Sequence, residues 1–203
     1  MTDALAAISI GYLLGSLPFG YWAGRLRGID LRLAGSGNTG ATYVMRVLGL
    51  KVGVPVMALD IAKGAVAVVV ARALSNDEIV PVLAAAAAVT GHMYPVLLGF
   101  RGGKGVATGA GTMIALVPWI GIAAFFLWLG LSLATRYVSI GSVVTAIAYP
   151  TTCVATDQSW SVCLFTLGAG AWVIWRHRAN IARLRAGTEN RINLRAVFAG
   201  RPS

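Results

Sequence analysis

Charge is what this sequence has least of: only 12% of its 203 residues are Asp, Glu, Lys or Arg, while 57% are hydrophobic. With a mean hydropathy of +0.74, that balance excludes an ordinary soluble domain. Carboxylates are the scarcest charges. The seven present, Asp3, Asp30, Asp60, Asp77, Glu78, Asp157 and Glu189, form no close acidic pair apart from the adjacent Asp77 and Glu78, far from the basic clusters, so a magnesium-dependent phosphotransferase has no ligands to use there and neither metal nor cofactor is expected. Cysteine is almost absent. Cys153 and Cys163 have no metal-ligand spacing to the two histidines, His92 and His177, and read as small apolar residues. No Gly-x-Ser-x-Gly elbow is present, which weakens a serine hydrolase. No basic residue precedes the first apolar run, so that run reads as a first membrane span and not as a cleaved signal.

What is there instead is a series of apolar runs, at about Ala4 to Gly24, Val52 to Ala71, Ile79 to Phe100, Val106 to Leu133, Val138 to Ala155 and Ser161 to Trp175. The fourth is ambiguous: its 28 residues would make a helix of ~42 Å against a hydrocarbon core of ~30 Å, so it is one tilted span or two short ones broken near Pro118, Trp119 and Gly121. Charge decides for two, because a single span would put the basic tail on the side opposite the first loop. The expected fold is then all-α, a single polytopic membrane domain of seven spans over residues 1–203, with residues 176–203 as a juxtamembrane tail. An outside N-terminus and a cytoplasmic C-terminus put 15 of the 17 basic residues on the inner side, as the positive-inside tendency favours. Arg72 stays outside and Lys63 lies within a span. The alanine run Ala84 to Ala88 permits close helix packing. The net charge of +10 on so apolar a chain suits anionic lipid or anionic substrates and not nucleic acid.

Polar residues in such a chain need reasons, and they fall in three clusters. GSGNTGATYVMR, from Gly35 to Arg46, interleaves Gly35 and Gly37 with Ser36, Asn38 and Thr39. It suits either a backbone nest for a phosphate or carboxylate, with Arg46 as a bidentate fork, or a turn leading into a helix. FRGGKG, ending at Gly105, joins two spans: Gly102 and Gly103 allow close approach to a ligand and Lys104 supplies a point charge, or the segment is simply a tight turn. It departs from a nucleotide P-loop at Leu98 and Gly105, which disfavours a nucleoside triphosphate. WRHRANIARLRAGTENR, from Trp175, holds arginines that suit a helix lying on an anionic leaflet, whereas His177 and Asn180 share one helical face at the level of the glycine loops. Asp60 and Lys63 are spaced for a structural ion pair, and His92 reads as a packed, hydrogen-bonded residue. The His-x4-Asp arrangement of many lipid acyltransferases is absent, since Leu97 follows His92 and Ala182 follows His177 at that distance.

These clusters, together with LDIAKG at Leu59 to Gly64 and RYVSIGS at Arg136 to Ser142, resemble in order and spacing the signature motifs of the bacterial acyl-phosphate-dependent glycerol-3-phosphate acyltransferases. One departure is Tyr43, where that family usually has Asn. The resemblance implies transfer of a fatty acyl group from acyl phosphate to the sn-1 hydroxyl of glycerol 3-phosphate, giving lysophosphatidic acid and phosphate, in a multi-pass inner-membrane protein whose site faces the cytoplasm. It implies catalytic roles for Ser36, Arg46, Lys104 and His177, and substrate contacts for Gly35, Gly37, Asn38, Gly102, Gly103, Ser142 and Asn180. An activated acyl phosphate requires neither metal nor covalent intermediate. A transporter for a small organic phosphate is the rival reading; the polar residues gather at one interface, not at the midplane, which speaks against it.

Overall fold

The computed structural model describes residues 2–33 and 37–192. Among these the chain is all helical. Its helices are α1 (Thr2–Gly15), α2 (Phe19–Arg25), α3 (Ala41–Leu48), α4 (Leu50–Leu74), α5 (Ile79–Met93), α6 (Val106–Leu116), α7 (Pro118–Thr135), α8 (Val138–Ala155), α9 (Trp160–Arg176) and α10 (Arg178–Arg185). Five segments of the described chain are long and apolar enough to cross a membrane, counting α1 and α2 as one and α5 with the turn after it as another.

The first apolar run is not a single helix: it breaks at Ser16 to Pro18, because Pro18 has no N–H to continue the ladder. The carbonyl of Leu17 is recovered by the Lys63 ammonium at 2.9 Å. The third run stops being helical at Met93, since Tyr94 precedes Pro95 and is pushed out of the helical region. The fourth run divides where the break was expected. α6 ends at Leu116, Val117 is extended, and Pro118 opens α7 where its missing N–H costs nothing. Arg72 donates to the Ala115 and Leu116 carbonyls at 2.8 and 3.2 Å, satisfying acceptors that end α6.

Small residues let the helices approach closely. On α1, Gly11 and Gly15 face the backbone of Ala84 and Ala88 on α5, and a side-chain carbon at either glycine would run into a carbonyl oxygen. The alanine run therefore serves packing, as its composition suggests. α4 and α6 meet the same way through Gly64 and Gly111. Cys153 is buried in the apolar core and Cys163 packs beside that core, both as free thiols. α6, at 11 residues, is only ~17 Å long, little more than half the ~30 Å hydrocarbon core.

Candidate active site

α3, the loop between α5 and α6, α8, and the α9–α10 junction surround one cavity of about 930 Å³. Arg46, in the last turn of α3, Lys104, in the loop, and His177, at the junction, all line it, as do Asn38, Ser142 and Asn180. Residues more than 130 positions apart in sequence are thus brought to one wall. Phe125 and Trp128 of α7 and Val138 of α8 give the cavity an apolar side.

The polar groups are tied to one another. Lys104 Nζ donates to Asn180 Oδ1 at 2.5 Å, Asn180 Nδ2 donates to Glu189 Oε1 at 2.6 Å, and Arg183 Nε donates to Glu189 Oε2 at 2.7 Å. Burial alone would raise the Glu189 carboxyl; the hydrogen bonds from Asn180 and Arg183 outweigh it and hold the group ionised. Burial lowers the Lys104 ammonium to about 8, with Glu189 opposing and the guanidiniums of Arg183, Arg176 and Arg46 adding to the shift. His177 is lowered to about 4, chiefly by burial and then by the Lys104 charge, so it is neutral at pH 7. Its Nδ1 lies 2.8 Å from the Val173 carbonyl. A carbonyl can only accept, so Nδ1 carries the proton and Nε2 is left as an acceptor. Ser142 donates to the Val138 carbonyl at 2.9 Å and accepts from Trp128 Nε1 at 3.2 Å. Asn38 Oδ1 accepts from the Gly40 N–H at 2.8 Å, forming the turn that leads into α3.

The two glycines expected at the ligand are off the cavity lining. Gly102 and Gly103 are buried and do not line the cavity. Their N–H groups donate back to the carbonyls of Met93 and His92 at 3.1 and 3.0 Å, and Arg176 Nη2 holds their carbonyls at 3.0 and 2.8 Å. A side chain on Gly103 would strike the His92 ring. These glycines are needed for close packing, and their backbone amides are already used. It is Gly105, with φ of +82°, that reaches the cavity at the start of α6. Gly37 adopts φ of +64° and also lies off the cavity wall. Gly35 and Ser36 fall outside the described residues.

Three further groups at the site were not singled out as site residues from sequence. Glu189 reaches Asn180 only because the chain reverses at Gly187, whose φ is +70°, and no spacing rule anticipates that. Beyond the turn, the tail is stitched to the α7–α8 corner by Arg191 Nε to Tyr137 Oη at 2.7 Å and Ile192 N–H to the Arg136 carbonyl at 2.8 Å. Arg183, expected with Arg178 and Arg185 to face the leaflet, turns inward as Arg176 does, leaving Arg178 and Arg185 on the exposed face of α10. Asp60 and Lys63 do pair, at 2.8 Å, and His92 is buried 3.6 Å from the same carboxylate oxygen.

Comparison with known proteins places the arrangement. A family model described as glycerol-3-phosphate acyltransferase matches residues 5–187. A glycerol-3-phosphate acyltransferase of Synechococcus sp. (strain CC9902) is 46% identical, over 95% of this chain and 96% of its own length. Another, from Aquifex aeolicus, is 43% identical over 93% of this chain and 98% of its own. Two crystal structures of PlsY (YgiH), an integral membrane glycerol 3-phosphate acyltransferase, superpose closely. The glycerol 3-phosphate form has a TM-score of 0.90 at 42% identity, covering 96% of this chain and 98% of that one. The lysophosphatidic acid form has a TM-score of 0.88 at 41% identity, covering 97% and 98%.

Proposed function

The chain belongs to the glycerol-3-phosphate acyltransferase family, and from that premise we propose that its cavity carries an acyl group from acyl phosphate to the 1-hydroxyl of glycerol 3-phosphate. The observation that carries this reading is the convergence of Arg46, Lys104 and His177 on one cavity with an apolar side. Two phosphorylated substrates, one of them with a fatty chain, need cations on one wall and hydrocarbon on the other.

Arg46 and Lys104 hold phosphate, Arg46 as a fork and Lys104 as a point charge already directed by Asn180. Ser36 joins them by its place in the motif. The first amides of α6, next to Gly105, have no acceptor within their own helix and favour an anion, supplying the backbone donors that Gly102 and Gly103 do not. Ser142 and Asn180 complete the polar wall. In the reaction the hydroxyl oxygen bonds to the acyl carbon, the bond from that carbon to the phosphate oxygen breaks, and phosphate leaves with the electron pair. The hydroxyl proton goes to the phosphate: with a second pKa of ~6 it is a stronger base than His177, held at about 4. His177 Nε2 then serves to accept a hydrogen bond and orient the hydroxyl. Positioning and charge supply the catalysis, and no metal is invoked.

Seven spans follow if α6 and α9 cross together with the five longer segments, which puts the cavity at the cytoplasmic face of the inner membrane, where 15 of 17 basic residues gather. The test is release of inorganic phosphate from acyl phosphate by the purified protein, with lysophosphatidic acid followed by mass spectrometry. Release should require glycerol 3-phosphate and survive chelator. Uptake of glycerol 3-phosphate into proteoliposomes without acylation is the result that would overturn it.

A further inference from the structure

Two carboxylates line the cavity: Glu189, whose oxygens are taken by Asn180 and Arg183, and a second with no role so far. Asp60 projects from α4, is 2% exposed and lines the cavity. Both of its neighbours sit on one oxygen. Oδ1 receives the Lys63 ammonium at 2.8 Å and has the His92 Nδ1 at 3.6 Å, and Lys63 is itself anchored on the Leu17 carbonyl. The carboxylate is thereby fixed in rotation. Its second oxygen, Oδ2, is buried with no hydrogen-bond partner among the described residues. A buried, charged acceptor left without a donor is costly enough that its persistence asks for an explanation.

Chemistry narrows what that donor is. Lys104, Arg176 and Arg183 are already directed at Asn180, the loop carbonyls and Glu189. The phosphate oxygens of both ionised substrates and the acyl carbonyl only accept. The hydrogen-bond donors that the two substrates bring are the two hydroxyls of glycerol 3-phosphate. One of these is the nucleophile and must give up its proton. Protonating Asp60 would break its ion pair with Lys63, so the carboxylate is suited to hold a hydroxyl and not to take its proton.

We infer that Asp60 Oδ2 accepts a hydrogen bond from the non-reacting C2 hydroxyl of glycerol 3-phosphate, so that Asp60, oriented by Lys63 and His92, is a substrate-binding and specificity-determining residue. The inference rests on glycerol 3-phosphate being the acyl acceptor. It adds that the site distinguishes this substrate from an alkanol phosphate of the same length.

The experiment compares kcat/KM for sn-glycerol 3-phosphate and for 3-hydroxypropyl phosphate, which keeps the reacting hydroxyl and the phosphate but lacks the C2 hydroxyl. A hydrogen bond to a charged acceptor corresponds to about 10- to 100-fold, so the wild-type protein should prefer glycerol 3-phosphate by that order. Asp60→Asn should lose most of the preference. The ratio is taken within one preparation, so a low yield of folded variant does not distort it. Asp60→Glu, which keeps a charge for Lys63 but displaces the acceptor, should lose the preference too, and serves if the Asn variant is not recovered. A purely structural Asp60 would lower both substrates alike and leave the ratio intact; that result, or a wild-type protein with no preference, overturns the inference while leaving the acyltransferase reading in place. A wild-type protein that acylates neither substrate overturns both.

Discussion

Lys104 is the residue on which the pH behaviour of the site turns. Its ammonium is held at about 8 by burial and the surrounding guanidiniums, against the pull of Glu189. In the proposed site the charged form binds phosphate, so binding should be intact below that value and lost as pH rises through it. Because kcat/KM reports the free enzyme, its profile for glycerol 3-phosphate should fall on the alkaline side with a midpoint near 8. Lys104→Arg, charged across the whole range, should abolish that limb whatever it does to the absolute rate. A wild-type profile that is level well above the midpoint would remove Lys104 from phosphate binding. That Arg46, Lys104 and His177 meet at one cavity was legible from sequence because a polar side chain has few reasons to exist in a chain this apolar. The packing of Gly102 and Gly103 was not: a glycine loop serves close ligand approach and close chain packing equally well, and the His92 ring against Gly103 is a tertiary contact. Glu189 was not legible at all, since its contact with Asn180 depends on one backbone reversal at Gly187.

At the scale of elements, hydropathy and length carried most of the reading. The break near Pro118 followed from the charge distribution once the length of the fourth run had raised the question, and the structure ends α6 at Leu116. The break at Pro18 was missed, because that run fits a single crossing and nothing in its hydropathy demands a kink; the recovery of the Leu17 carbonyl by Lys63 is a tertiary fact. The α1–α5 contact offers a clean test of how these helices hold together. A side-chain carbon at Gly15 would meet the Ala88 backbone, which cannot move aside as a flexible side chain would. Overpacking of this kind costs about 1–3 kcal/mol, so Gly15→Ala should lower the melting temperature in detergent by several degrees. Gly130→Ala, on α7 with no neighbour near the added carbon, should not, and should gain slightly from helix propensity. α1 lines none of the cavity, so kcat/KM per folded Gly15→Ala molecule should match wild type. Equal melting temperatures for the two variants would mean that α1 and α5 are less tightly apposed than the structure has them.

For the whole molecule, one end carries the charge and the chemistry together. Arg46, Lys104, Arg176, His177 and Arg183 line the cavity at that end, while Asp77, Glu78 and Asp157 sit on connections at the other ends of α4, α5 and α8. The positive-inside tendency retains a basic end on the cytoplasmic side, so under the proposed function the charges that bind anionic substrates also set the orientation. Single cysteines introduced into a protein with Cys153 and Cys163 replaced by alanine make this measurable. Asn76→Cys lies in the exposed α4–α5 connection and Ala186→Cys in the exposed turn after α10. In intact spheroplasts a membrane-impermeant maleimide should label position 76 alone, and position 186 should react only after the membrane is opened. Reversed labelling would put the cavity on the outer face, away from the cytoplasmic pool of glycerol 3-phosphate that the proposed reaction draws on. Labelling of both positions from outside would mean an even number of crossings between them. Since α6 is too short to cross alone by its own helix length, that second outcome would make α6 and α7 a single broken crossing, and the count of seven would fall with it.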